Sequence, residues 1–297
     1  MTIFRVHDEY QYLQLVRNIL DNGHTETGRN GPVKSLFGAM MRFSLADNTL
    51  PILTTKRMAW TTCFKELLWF IRGSTDNDEL NAEGVHIWDA NASREFISAA
   101  NLSHYADGLL GPIYGYQWRH YNAEYDPCTG TPQPYSQGID QLQYIINQLR
   151  DPATRHSRRL VMTAWNPCQI MEMALPPCHM MCQFYVHDDN KLSCLMFQRS
   201  GDMALGVPFN IASYSLLTHL IANATGLVAW EFIHTIGNAH VYMDHIQGLK
   251  EQLTREPFPF PSLHLTRTHD KLEEYTMDDL HIDNYVHHPK ITFPMHA

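Results

Sequence analysis

The sequence predicts a mixed α/β protein of the α+β kind, folded as one domain over residues 1–297. Three observations predict it. A chain of 297 residues, 44% of them hydrophobic, buries a sizeable core without needing to divide. Strand-like segments cluster in the second half instead of alternating with helices, which favours an α+β layer over a doubly wound sheet. No internal repeat or low-complexity tract interrupts the chain.

Element by element, Tyr12, Leu13, Val16, Ile19 and Leu20 recur at helical spacing over residues 8–22, and Gly23 supplies a stop. Residues 25–34 read as a loop. A second helix is expected over 58–71, apolar on nearly every side and therefore buried, ended by Arg72-Gly73-Ser74. Residues 100–137, rich in Gly, Pro, Tyr and Asn, read as irregular, with Cys128 to Pro134 the most mobile stretch. Helical period returns over 139–149. Strands are expected at about 158–164, 179–187 and 191–199, the last two joined as a hairpin by Asp188-Asp189-Asn190. A long apolar helix over 209–224 closes at Gly226, followed by a strand near 231–236 and a helix near 244–254.

The net charge of −9 argues against a general nucleic-acid binder, whose affinity comes from clustered Lys and Arg, so any anion site must be local. No apolar run approaches the roughly 20 residues that cross a bilayer, and the first residues lack the apolar stretch of a signal peptide. A cytoplasmic protein is expected, with the nucleus as the alternative. Six scattered cysteines suit thiols in a reducing compartment. Cys178, His179 and Cys182 lack the second ligand pair of a structural zinc site, so no metal is expected.

Cys178, in Leu175-Pro176-Pro177-Cys178-His179, follows a stiff, extended lead-in, because proline fixes its own φ and restrains the residue before it. A lone cysteine is most often a small buried hydrophobe. Arg158, Arg159 and Arg199, on segments expected around Cys178, favour the reactive thiolate instead. The Arg158-Arg159 pair serves equally as a solvated strand end or as a bidentate phosphate grip. Glu66 sits among Phe64, Leu67, Leu68, Trp69 and Phe70, where burial raises a carboxyl toward the range useful for proton transfer; otherwise Lys65 and Glu66 mark a polar helix side. Asp202 and Asn210 bracket the Gly206 turn. The Asn210 carboxamide can pair with the O4/N3 edge of uracil, or simply cap the helix before Ile211.

Taken together, these motifs resemble the thymidylate synthase family along essentially the whole chain. The matching stretches include Ser35-Leu36-Phe37-Gly38, Leu53-Thr54-Thr55-Lys56-Arg57, Glu66 to Phe70, Ile87-Trp88-Asp89, Gly111 to His120, Arg158-Arg159, Ala164-Trp165-Asn166-Pro167, Leu175 to His179, Gln183 to Val186, Gln198 to Asp202, Leu205 to Tyr214 and Ala239 to Tyr242. The resemblance implies one α/β domain on a large mixed sheet flanked by helices, dimerising back to back through that sheet. It implies reductive methylation of dUMP to dTMP, with 5,10-methylenetetrahydrofolate giving carbon and hydride. Cys178 is then the nucleophile toward C6 and Glu66 manages protons through ordered water. Arg29, Arg199 and Ser200 hold the phosphate with Arg158 and Arg159 of the other subunit; His240 and Tyr242 meet the sugar 3′-OH; Asn210 meets uracil. His179, Gln198 and Gly201 fall in nucleotide-binding motifs, Asp202 serves nucleotide and folate, and Trp88, Tyr114 and Gly206 fall near the folate.

The chain departs from the family's usual motifs in four places. The phosphate loop reads Arg29-Asn30-Gly31-Pro32-Val33 in place of R-T-G-T-G, Asn238 replaces the Asp of G-D-A-H, Asp244 replaces an Asn, and the tail reads His287-His288-Pro289 and then Met295-His296-Ala297. Two other readings go with these departures: a dUMP or dCMP hydroxymethylase of the same superfamily, in which water finishes the reaction, and an inactive nucleotide-binding paralogue.

Overall fold

The computed structural model describes residues 6–28 and 30–296. Helix α1 (Glu9–Asn22) leads into a hairpin of β1 (His24–Gly28) and β2 (Gly31–Ser44), then α2 (Trp60–Arg72). Four shorter helices follow: α3 (Asn77–Ala82), α4 (Asp89–Ala92), α5 (Arg94–Ala99) and α6 (Tyr114–His120). The second half runs α7 (Gln141–Arg150), β3 (Val161–Thr163), β4 (His179–Val186), β5 (Lys191–Asp202), α8 (Gly206–Thr225), β6 (Val228–Tyr242), α9 (Ile246–Gln252), β7 (Ser262–Leu265) and β8 (Leu280–Asp283).

One six-stranded mixed sheet, in the order β1-β2-β6-β5-β4-β3, carries the molecule. Strands β5 and β6 are parallel and every other neighbouring pair is antiparallel. Parallel pairing requires a crossover, and α8 is that crossover, lying on one face of the sheet. Its residues are apolar on all sides because it is enclosed on all sides, with the sheet beneath and α2 and α7 beside it. Phe43, Phe184, Cys194, Met196 and Phe232 project from the sheet into that core. The opposite face is apolar and uncovered: Phe37 is 89% exposed, and Met40, Tyr185, Val228 and Trp230 lie open. No described helix is long and apolar enough to cross a membrane.

Where local signals were strong, the elements match expectation. Gly73 and Gly226 adopt left-handed φ of 77° and 68° and close α2 and α8. Asp189 and Asn190, also left-handed, turn the β4–β5 hairpin.

Four expectations are corrected. Residues 25–34 are not a loop but most of the β1–β2 hairpin; all five β1 residues are exposed, so no apolar alternation announces the strand. Within 100–137, α6 is helical, held against α2 so closely that a Cβ on Gly115 would lie 2.3 Å from the Phe70 carbonyl oxygen. Strand β3 starts only at Val161, which leaves Arg158 and Arg159 in the preceding turn. Helix α8 starts at Gly206, so Asn210 lies within its first turns and is no N-cap.

Candidate active site

Cys178 sits half-buried at the entrance to β4, and its surroundings are built from backbone. Its N–H donates to the Tyr114 hydroxyl at 2.8 Å, and its carbonyl accepts from the Arg199 N–H at 2.8 Å. The Arg199 guanidinium donates from Nε to the Pro177 carbonyl (2.9 Å) and from Nη2 to the Pro176 carbonyl (2.8 Å). The two prolines thus present free carbonyls to a cation, which brings Nη2 to 3.8 Å from the Cys178 sulfur. A fixed positive charge at that distance favours thiolate.

Tyr114 opens α6 with a φ of +26°, a conformation that an aromatic residue adopts only when its surroundings impose it. Burial first, and the neighbouring Cys178 next, push its hydroxyl pKa well up, so it remains an O–H group. His179 packs behind it, tilted by 31° with ring centroids 4.2 Å apart, and its Nδ1 lies 2.8 Å from the Tyr214 hydroxyl. Burial takes His179 down to about 3, so the ring is neutral. It supports Tyr114 from the core side.

Glu66 projects from α2 into the same wall. Burial raises its carboxyl to about 7, against the opposing hydrogen bond that Trp88 Nε1 donates at 2.7 Å. Trp88 in turn meets Tyr114 edge to face at 6.0 Å. An unbroken set of contacts therefore links the Glu66 carboxyl, the Trp88 indole, the Tyr114 phenol and the backbone N–H of Cys178. The arrangement holds a nucleophile and a group that exchanges protons near neutrality, the pairing that covalent catalysis with proton transfer needs.

The other wall is the paired ends of β5 and β6, where Ser200, Gly201 and Asp202 lie opposite Asn238, Ala239 and His240. Asp202 Oδ1 accepts from the Ala204 N–H at 2.8 Å and lies 3.5 Å from His245 Nδ1. Burial works against a charged His245, but Asp202, the Pro294 carbonyl and Asp244 together outweigh it and raise its pKa. Tyr242 ends β6. Gly206 and Asn210 share the start of α8, with Asn210 Oδ1 3.9 Å from where a Cβ on Gly206 would stand.

Several expected site residues stand elsewhere. Gln198 is buried, its Nε2 donating to the Ser200 carbonyl and its Oε1 facing His234 Nε2 at 2.7 Å, so it braces the strand end from inside. Arg158 and Arg159 do not surround Cys178 in their own chain. Val161 pairs with Gln183, and the Gln183 Nε2 donates to the Arg158 carbonyl at 3.0 Å, so the turn before β3 lies beside the half of β4 remote from Cys178, and both arginines are exposed. Arg29 lies outside the described residues.

Two groups of residues lie at the site beyond the expected site residues, the second of them the tail whose last residues close over folate in the family. Lys56 is buried, donates to the Ala204 carbonyl and lies 4.8 Å from the Phe293 ring; burial lowers it to about 8 against the pull of Asp202 and Glu9. A lysine inside the apolar run before α2 was the available signal. The segment 291–296 also joins this wall, with His296 stacked on Tyr242 at 4.0 Å and 3.1 Å from both Asp244 oxygens.

A family model described as thymidylate synthase matches residues 10–297. The chain belongs to the thymidylate synthase family. Thymidylate synthases are correspondingly similar to it throughout: that of Equine herpesvirus 2 is 51% identical over 291 residues, 97% of this chain and 98% of the relative. The Homo sapiens protein is 50% identical over 97% of this chain and 91% of its own length. That of Human herpesvirus 8 type P is 51% identical over 97% and 84% respectively.

Proposed function

We propose that the protein converts dUMP to dTMP by reductive methylation, with 5,10-methylenetetrahydrofolate as co-substrate and dihydrofolate as by-product. The observation that carries this reading is the wall joining the Cys178 sulfur, held 3.8 Å from Arg199, to a Glu66 carboxyl that titrates near neutrality. The thiolate adds to C6 of uracil, and the C5–C6 π pair moves onto C5, which becomes the nucleophile for the one-carbon unit. The C5 proton then leaves, and the sulfur–C6 bond breaks as the product forms. Glu66, half protonated at neutral pH, moves protons at the base through water, and Trp88 fixes its orientation.

The residues suit the folate. Trp88, its N–H engaged by Glu66, would present its ring to the folate, Asp202 would offer a carboxylate to a pterin N–H, Tyr114 meets Trp88 edge to face, and Gly206 opens α8 four residues after Asp202. When bound, the folate supplies the carbon and the hydride. His240 and Tyr242 hold the sugar hydroxyl and Asn210 the uracil edge. Arg199, Ser200 and Arg29 take the phosphate, joined by Arg158 and Arg159 of a second subunit. The uncovered apolar sheet face, with Phe37, Met40 and Tyr185 and the arginine turn at its rim, supports that homodimer. A soluble enzyme of the cytoplasm or nucleus is the setting this reading gives, and no part of it calls for a metal or a nucleic-acid partner.

The test is incubation with dUMP and methylenetetrahydrofolate, following dihydrofolate by absorbance and identifying the nucleotide by mass. Stoichiometric dTMP and dihydrofolate are expected. Hydroxymethylated nucleotide without dihydrofolate, or no product from dUMP or dCMP, overturns the reading.

A further inference from the structure

Asn238 stands where the family usually has an aspartate, beside a histidine whose protonation decides what it can hold. The surrounding contacts determine how Asn238 is turned. Glu26 of β1 accepts on the same oxygen from Ser35 Oγ at 2.7 Å and from Asn238 Nδ2 at 3.1 Å. An ionised carboxylate only accepts, so the Asn238 atom that faces it must be the NH2 group. Hydrogen bonds from Ser35, then Asn238, hold the Glu26 carboxyl below its usual range, which keeps it ionised at neutral pH. The Asn238 carbonyl oxygen consequently faces the other way, 3.2 Å from His240 Nδ1. An amide oxygen also only accepts, so Nδ1 must carry the proton. Burial lowers the His240 pKa, against Asp202, the Asn238 backbone carbonyl and Glu26, so the ring is neutral and Nε2 keeps a lone pair.

We propose that Glu26 and Asn238 are positioning residues that select the Nδ1–H tautomer of His240 and thereby make its Nε2 a hydrogen-bond acceptor for a substrate hydroxyl. This rests on the reading above that His240 meets the 3′-OH of a deoxynucleotide. It deepens that reading, because the hydroxyl must then donate to the histidine. A nucleotide lacking a 3′ O–H donor, such as a 2′,3′-dideoxy or 3′-O-methyl analogue, is discriminated against. Where the family's aspartate would face the histidine directly, here the carboxylate stands one residue further out, on a β1 strand that no motif covers, and Asn238 relays its polarity.

The relay makes a double-variant prediction. Glu26→Gln supplies a side chain that both donates and accepts, so Asn238 is free to flip and the tautomer becomes mixed. Asn238→Asp alone sets two carboxylates against each other. The pair Glu26→Gln/Asn238→Asp restores the chain, since the introduced glutamine can donate to the introduced aspartate, whose other oxygen accepts from Nδ1–H.

The experiment is 15N NMR of the imidazoles in the unliganded full chain, with His240 assigned by its loss in His240→Asn, alongside steady-state kinetics and thermal melting. Wild type should show protonated Nδ1. Glu26→Gln should show mixed tautomers and a dUMP KM raised about tenfold with kcat within about twofold, and the double variant should recover both signals. A wild-type Nε2–H tautomer, an unchanged Glu26→Gln, or a double variant no better than Glu26→Gln overturns the inference. The tautomer is read without substrate, so a protein that makes no dTMP yet shows the predicted NMR pattern would refute the proposed reaction and leave the relay standing.

Discussion

Around Cys178 the backbone does the holding: the Cys178 N–H and C=O are both engaged, and Arg199 is fixed by two proline carbonyls. At the end of β6, Glu26, Asn238 and His240 meet one another, and Asp244 meets His296, side chain to side chain, and several of them are open to solvent. Backbone contacts inside a packed core persist when one side chain is changed, whereas exposed side-chain pairs contribute little and rearrange readily. Substitutions of Cys178 and Glu66 on the first wall should therefore strike chemistry and leave dUMP binding. Those on the second should shift binding modestly. Asn238, Asp244 and His296, three residues at which the chain departs from the family's motifs, fall on the second wall.

The largest expected effect is at the nucleophile. Cys178→Ala removes only the sulfur, leaving the Tyr114 and Arg199 backbone bonds intact, so turnover should fall by about four orders of magnitude or more. Calorimetry should still detect dUMP binding near the wild-type affinity. Loss of binding together with turnover would show that the two walls are not separable.

Glu66→Gln comes next, with a loss of about two to three orders of magnitude in kcat expected from removal of a general acid–base group. It also carries a stability signature. The folded carboxyl is raised from 4.5 to about 7, so the native state binds the proton more tightly than the unfolded chain. Stability from this group is full below about pH 4.5 and falls as pH rises through about 7, by about 3 kcal/mol at most. Glutamine escapes that loss. Denaturant melts should therefore show the variant gaining on wild type between pH 5 and pH 8; a constant difference would mean the carboxyl is not raised.

For Arg158 and Arg159, the proposed phosphate arginines, the structure separates from Cys178 what the sequence reading had placed around it. Arg158→Ala/Arg159→Ala should raise the dUMP KM about tenfold to a hundredfold through lost charge-assisted bonds, with kcat less affected. If the pair acts across a dimer, mixing these weak-binding chains with an equal amount of Cys178→Ala chains, at dUMP well below the raised KM, should restore about a quarter of wild-type activity, since half the random dimers contain one intact site. No recovery after subunit exchange would contradict the shared site.

The legible parts of the molecule were those whose residues answer to their neighbours in sequence. The apolar run of α2 with a carboxyl inside it, the Asp188-Asp189-Asn190 turn and the two prolines before Cys178 all act within a few residues. Strand β1 did not show itself, because five exposed residues carry no alternation and its partner β2 is held in turn by β6, about two hundred residues onward. Helix α6 stayed hidden for a related reason, since Gly115 helps only against the Phe70 carbonyl. Within the site, residue types announced Cys178 and Glu66, but the register of Val161 on Gln183 removed Arg158 and Arg159 from their own nucleophile, and register is not written in composition.

The smallest effect should come from the tail, and its smallness is the sharper test. His296 stacks on Tyr242 and bonds to Asp244, two residues where the chain departs from the family meeting in one contact. A ring pair contributes about 0.5–1.5 kcal/mol and an exposed polar pair less than about 1. His296→Ala should therefore raise substrate KM values about three- to tenfold without moving the melting temperature appreciably. His296→Phe keeps the stack and loses the hydrogen bonds, and should recover most of the loss. If His296→Ala instead lowered kcat a hundredfold, the 291–296 segment would be taking part in the chemistry, and the division between a wall that reacts and a wall that binds would have to be redrawn around Tyr242.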